Sequence, residues 1–211
     1  MMDPAPRHLG WHSAARLITP TGTLDRSAAI ARARQFAGAA VGADTVGISL
    51  SDPAEAICAA FGAMLAGKPS AILDPHWPKS LMDSVATSIE GFRIIEAPAP
   101  DAPFGPPSTI SDHLICFTSG STGLPKGVLR SHASWIESFR AISPFVTVTP
   151  EDTILSPGQL CHSTTLFAAM HGLYYGADVI LLGAFSVAKA LEATRKATIL
   201  YATPAQLALM V

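Results

Sequence analysis

The stretch FTSGSTGLPKGVLRSH, residues 117–132, gathers groups that could handle phosphate. Thr118, Ser119, Ser121 and Thr122 carry hydroxyls, and Lys126 supplies a mobile positive charge. Gly120, Gly123 and Gly127 let the backbone take conformations closed to other residues and bring N–H groups close to an anion. Together these groups suit the β- and γ-phosphates of a nucleoside triphosphate. The spacing excludes both common phosphate loops. A Walker loop needs Gly-Lys followed by Ser or Thr, whereas Lys126 follows Pro125 and precedes Gly127. The glycine intervals also miss the dinucleotide fingerprint. A flexible linker describes the stretch poorly, because an apolar strand-like run flanks it on each side.

Other reactive side chains are sparse. Cys161 and His162 are adjacent, and neighbours on one turn do not form a nucleophile–base pair without a group to orient the imidazole. Arg130 and His132 leave the loop as basic residues that suit either phosphate contact or an exposed strand end. Trp77 and Trp135 read as packing residues. Cys58, Cys116 and Cys161 are odd in number and widely spaced, which indicates neither a disulfide framework nor a zinc site and fits a reducing, cytoplasmic compartment.

The elements that would hold the loop alternate between strand and helix. Residues 24–40 read as an amphipathic helix and 45–50 as a strand. Ser-Asp-Pro at 51–53 supplies a cap and a first-turn proline for a helix to about residue 66. Strands are expected at 70–74 and 92–97 around a helix at 80–90. Residues 97–108 then hold five prolines and read as a connection between two lobes. Beyond it, strands are expected at 109–118, 127–132, 152–156, 177–183 and 197–204, with helices at 134–141, 164–175 and 187–196 and another starting near 205. Such alternation predicts an α/β layered fold with largely parallel sheets. The expected division is a first lobe over 1–97, a proline-rich linker over 98–109, and a second lobe over 110–211 that carries the loop.

Composition narrows the function classes. The chain has 211 residues, of which 49% are hydrophobic and 14% charged, which excludes general disorder. Net charge is −2 and Lys and Arg do not cluster, so a nucleic-acid footprint is missing. The first residues lack the continuous apolar core of a signal peptide. The most apolar long window, 164–185, is interrupted by His171, Asp178 and three glycines, so a membrane span is not expected. The apolar helical start at 205–211 has no polar finish, and the chain is expected to be truncated.

The loop closely resembles the signature of the AMP-forming adenylating superfamily, which comprises acyl-CoA synthetases, adenylation domains of nonribosomal peptide synthetases, and luciferases. Every position from Thr118 to Gly127 fits its pattern of small hydroxyl residues and glycines ending in Pro-Lys-Gly. Residues 59–78, 155–186 and 198–211 are similar to the segments that flank the loop in that family, in the same order. The resemblance implies the layered, two-lobed N-terminal domain of an AMP-forming ligase. It also implies ATP with Mg2+, a carboxylic acid substrate, and CoA or a carrier-protein phosphopantetheine as thiol acceptor. Thr118, Ser119, Gly120, Ser121, Thr122 and Gly123 would form the phosphate cradle and Lys126 its charge. His162 would border the acyl pocket, although its interval from Pro157 is longer than the family's. No acidic residue lies between Gln159 and Leu166 to meet an amino group, which favours an acid without one. The family's segments for adenine, ribose and the catalytic lysine have no counterpart before Val211, so catalytic residues are expected beyond it and the segment alone is expected to be inactive. Three readings stay open: an acyl-CoA synthetase, a domain loading a carrier protein, and a non-catalytic remnant or interaction module.

Overall fold

The computed structural model describes residues 10–99, 112–118 and 125–211. The first strands are β1 (Leu17–Thr19) and β2 (Gly22–Leu24), followed by α1 (Arg26–Ala39), β3 (Thr45–Ile48), α2 (Pro53–Leu65) and β4 (Ser70–Ile72). Next come α3 (Lys79–Ser88), β5 (Phe92–Ile95), β6 (Asp112–Thr118), β7 (Lys126–Ser131) and α4 (His132–Ile142). The remainder is β8 (Thr153–Ser156), α5 (Ser163–Tyr175), β9 (Asp178–Leu181), α6 (Val187–Thr194), β10 (Ile199–Leu200) and α7 (Pro204–Met210).

The strands form two five-stranded sheets, ordered β10-β8-β9-β1-β2 and β5-β3-β4-β6-β7. Among the described residues only the hairpin pairs β1–β2 and β6–β7 are antiparallel; the other pairs run parallel. This is the layered α/β arrangement with largely parallel sheets that the alternation predicts. Sheet membership nevertheless crosses the proline-rich stretch. β1 and β2 join the sheet of β8–β10, while β6 and β7 complete the sheet of β3–β5. The two sheets are therefore not the two chain segments expected on either side of 98–109. Most of that stretch, residues 100–111, lies outside the described residues.

Helix α2 explains the high apolar content. Asp52 caps it, accepting from Ala54 N at 2.7 Å, and Pro53 occupies the first turn, where its missing N–H costs nothing. Nine of its residues are buried. It touches β3 and β4 on one side and β1 on the other, so it lies between the sheets and needs apolar residues all round. Its small residues let α1 approach closely. A Cβ on Gly62 would lie 2.6 Å from both the Ala33 carbonyl oxygen and Phe36 Cβ. Arg32 of α1 closes the same contact through an ion pair with Glu55 at 2.6 Å. One core cluster joins Leu17 and Val179 of the first sheet to Val46, Ile48 and Leu114 of the second, through Phe36, Ile57 and Leu173 of the helices.

Three local expectations need correction. The hairpin β1–β2 was not expected; its strands are three residues each, too short for a periodic signal. Helix α4 begins at His132 rather than 134, because Ser131 accepts from Ser134 N at 3.2 Å and caps it. Strand β10 is shorter than expected, because Thr203 and Gln206 form a capping box that starts α7 at Pro204.

Candidate functional site

The loop joins the two strands of the β6–β7 hairpin. Phe117 faces Gly127 and Thr118 faces Lys126 in the antiparallel register, so the chain positions that enter and leave the loop are held side by side. Residues 119–124, with the expected cradle residues Ser119, Gly120, Ser121, Thr122 and Gly123, lie outside the described residues. Lys126 is exposed at the tip of β7, which is an edge strand.

The two faces of the hairpin differ. Ile115, Phe117, Gly127 and Leu129 face the end of α3 across a cavity of about 220 Å3. Gly127 is required there: a Cβ would lie 2.9 Å from Ile115 Cγ2 and 3.3 Å from Phe117 Cε1. Trp77 meets Phe117 edge-on at 5.7 Å, in keeping with its expected packing role. On the other face, Cys116, Val128 and Arg130 line a groove of about 490 Å3 closed by Trp135, Phe167 and Tyr201, with Ser163 and Thr164 at its edge. Side chains alternate along a strand, so Lys126 shares the face of Val128 and Arg130. Lys126 is not itself among the lining residues, but the strand that contributes Val128 and Arg130 to the groove begins at it.

Arg130 and His132 are not exposed strand-end residues: Arg130 is half-buried and His132 buried. Arg130 donates to Ser134 Oγ at 3.1 Å, to the Ser134 carbonyl at 2.6 Å and to Ser138 Oγ at 2.7 Å. Its guanidinium lies 4.9 Å from the Trp135 ring centroid. The side chain thus fastens α4 to the hairpin. His132 is buried and stacks on His113 of β6 with ring centroids 4.3 Å apart. Burial, and then the neighbouring His132, push the pKa of His113 well below its ordinary value. Trp135 is 1% exposed and packs as expected.

His162 is exposed at the N-terminus of α5 and makes no side-chain capping bond. It immediately precedes Ser163 and Thr164 at the groove's edge, but it is not itself among the lining residues. Cys161 turns instead toward a cavity of about 430 Å3 at the carboxyl ends of strands from both sheets, beside Leu73, His76 and Gln159. Burial, with Asp74 adding to it, raises the Cys161 thiol pKa to about 11, so no thiolate is poised there.

The groove wall includes residues the sequence did not single out. Tyr201 follows β10, and its hydroxyl lies 2.9 Å from Nδ1 of His171 on α5. His171 is fully buried among Phe139, Phe167 and Tyr175, and burial lowers its pKa to about 4. An aromatic spacing at 167, 171, 174 and 175 was present in the sequence, but a stripe of that kind reads first as core.

Two mixed sheets around shared helices, with the hydroxyl- and glycine-rich segment at an edge-hairpin tip, define an α/β protein built to present one loop. A family model described as "AMP-binding enzyme" matches residues 97–211. The chain belongs to that family. It is 35% identical over 137 residues to the "uncharacterized acyl--CoA ligase YhfT" of Bacillus subtilis, an alignment covering 63% of this chain and 27% of that protein. It is 29% identical over 183 residues to pyochelin synthetase PchE of Pseudomonas aeruginosa, covering 78% of this chain and 13% of that one. Among solved structures, ATP-bound MatB from Rhodopseudomonas palustris superposes with a TM-score of 0.80 at 20% identity, over 94% of this chain and 48% of that one. The chain thus spans about a quarter of the Bacillus protein and about half of the solved one.

Proposed function

We propose that this chain forms the nucleotide-phosphate part of an AMP-forming carboxylic acid ligase, most like an acyl-CoA synthetase. In such a reaction a carboxylate oxygen attacks the α-phosphorus of ATP, the bond to the β-phosphate oxygen breaks, and acyl-adenylate and pyrophosphate form. The thiol of CoA then attacks the acyl carbon and AMP leaves. In this reading Thr118 to Gly123 donate to the β- and γ-phosphates, and Lys126 offsets the charge gathering on the departing pyrophosphate. The observation that carries the reading is the register pair Thr118–Lys126, which fixes both ends of the loop beside a groove on the same hairpin face. The acid would lie in that groove, near His162. Mg2+ would be held chiefly by the phosphates of the nucleotide, as is usual for this ion. A cytoplasmic setting fits three free cysteines, and no described helix is long and apolar enough to cross a membrane.

A carrier-protein thiol is the second acceptor to weigh, because the similarity to PchE covers more of this chain than the similarity to YhfT. The test is acid-dependent exchange of labelled pyrophosphate into ATP by the protein expressed from its full reading frame. Exchange followed by thioester formation on CoA supports the first reading; transfer only to a phosphopantetheinylated carrier supports the second. A folded protein giving no exchange with a broad panel of acids overturns both in favour of a non-catalytic module.

A further inference from the structure

We infer that the groove beside the hairpin selects an aryl carboxylic acid, with the ring against Phe167 and Tyr201 and the carboxylate toward the Lys126 end. This deepens the ligase reading and rests on it for the fate of the carboxylate.

The wall is built from rings that are held in place. Phe167 and Tyr201 are half-buried, with centroids 6.0 Å apart and planes tilted by 55°. Two tilted rings offer a third ring one stacked and one edge contact, an arrangement that aromatic quadrupoles favour. Behind them Trp135 is already engaged, stacked on Phe167 at 6.0 Å and covered by the Arg130 guanidinium. It therefore forms a rigid floor. A straight alkyl chain would gain only from area removed from water and would need no ring orientation.

Tyr201 shows the greatest investment in position. Its hydroxyl pairs with His171 Nδ1, while His171 Nε2 is buried with no hydrogen-bond partner. An unpaired buried ring nitrogen is unfavourable, so a role for His171 in packing alone is a poor account of it. A role in fixing the Tyr201 ring explains why an imidazole, rather than a phenyl ring, occupies the centre of this cluster. With its pKa at about 4, His171 is neutral near pH 7, and it acts on the groove from behind, through its bond to Tyr201 and its contact with the Phe167 ring. It is a positioning residue.

Polarity along the groove sets the ligand's direction. Arg130 is committed to Ser134, Ser138 and Trp135, so it gives a carboxylate little reason to turn inward. Lys126 lies on the same strand face at the hairpin tip, where the reacting phosphate is expected. The acid thus enters ring first.

The experiment measures pyrophosphate exchange by the protein from its full reading frame with benzoate, phenylacetate and cinnamate against hexanoate, octanoate and decanoate. The best aryl acid should exceed the best alkyl acid in kcat/KM by about tenfold, the size of one or two ring contacts. Phe167→Leu, Tyr201→Leu and His171→Leu should each bring that ratio toward one, and Tyr201→Phe, which keeps the ring but loses the bond to His171, should lower it about as His171→Leu does. A preference for alkyl acids, or variants that lower all acids equally, would overturn the inference. If no acid supports exchange, the ligase reading fails separately. Calorimetric binding of phenylacetate against hexanoate to the same protein then decides the groove. Tighter phenylacetate binding that is lost in Phe167→Leu upholds the selectivity, and equal or no binding sinks it.

Discussion

Lys126 and Arg130 stand on the same face of one strand with the same charge, yet their surroundings assign them different work. Arg130 makes three hydrogen bonds to α4 and covers Trp135, whereas Lys126 is exposed at the hairpin tip. Replacing Lys126 with Ala should lower pyrophosphate exchange about a hundredfold, as expected for removing one charged group from a developing anion. Arg130→Ala should cost about 1–3 kcal/mol in urea unfolding, because Ser134 and Ser138 lose a charged donor and Trp135 its cover. His171 carries a pH dependence. Its folded pKa is lowered from an ordinary 6.5 to about 4, so the unfolded chain takes up the proton first as pH falls. The stability it contributes is present above about pH 6.5 and is lost progressively toward pH 4, on the order of 3 kcal/mol in all. Buried His113 is shifted in the same direction and adds to the loss. Urea midpoints at pH 7.5 and 4.5 should differ accordingly, and His171→Leu should reduce the difference without abolishing it.

At the scale of elements, what was legible in the sequence depended on whether a local signal existed. Helix α2 announced itself through Asp52 and Pro53, but its close burial between the sheets is a finding of the structure. The loop was legible because its hydroxyls, glycines and lysine are contiguous. The groove was not, because Val128, Trp135, Phe167 and Tyr201 come from four separate elements or their ends, and nothing local distinguishes a groove wall from core. Arg130 was open to two readings for a similar reason: Ser134 and Ser138 become its partners only once a helix turns them toward the strand. The α1–α2 contact provides the element-scale test. Alanine normally favours a helix over glycine by about 1 kcal/mol, but at Gly62 the added Cβ would press on the backbone of α1 at 2.6 Å. Backbone cannot swing aside as a side chain does, so overpacking should win. Gly62→Ala should lose about 1–3 kcal/mol in urea unfolding, and a gain would show that α1 can shift.

For the whole molecule, strand pairing is the property that sequence pattern conveys least. Proline density at 97–108 suggested a division, and a strand run gives no sign of which sheet it will join. In the fold, β4 pairs with β6 and β1 with β9, so each sheet draws strands from both sides of the proline-rich stretch. The Arg16–Asp178 ion pair ties the same distant segments together. Cutting there would leave β3, β4 and β5 without the hairpin that carries the loop, and β8–β10 without β1. It would also expose Leu17, Val46, Leu114 and Val179, all 0% exposed in one shared core. Fragments 1–99 and 110–211 produced separately should therefore lack sharp, dispersed amide spectra. Mixed or co-expressed, they should form a one-to-one complex with cooperative unfolding, because the missing strands are the ones each half supplies to the other. An independently folded 110–211 fragment would mean that β6 and β7 can find another partner, and that the loop does not depend on the first hundred residues for its position.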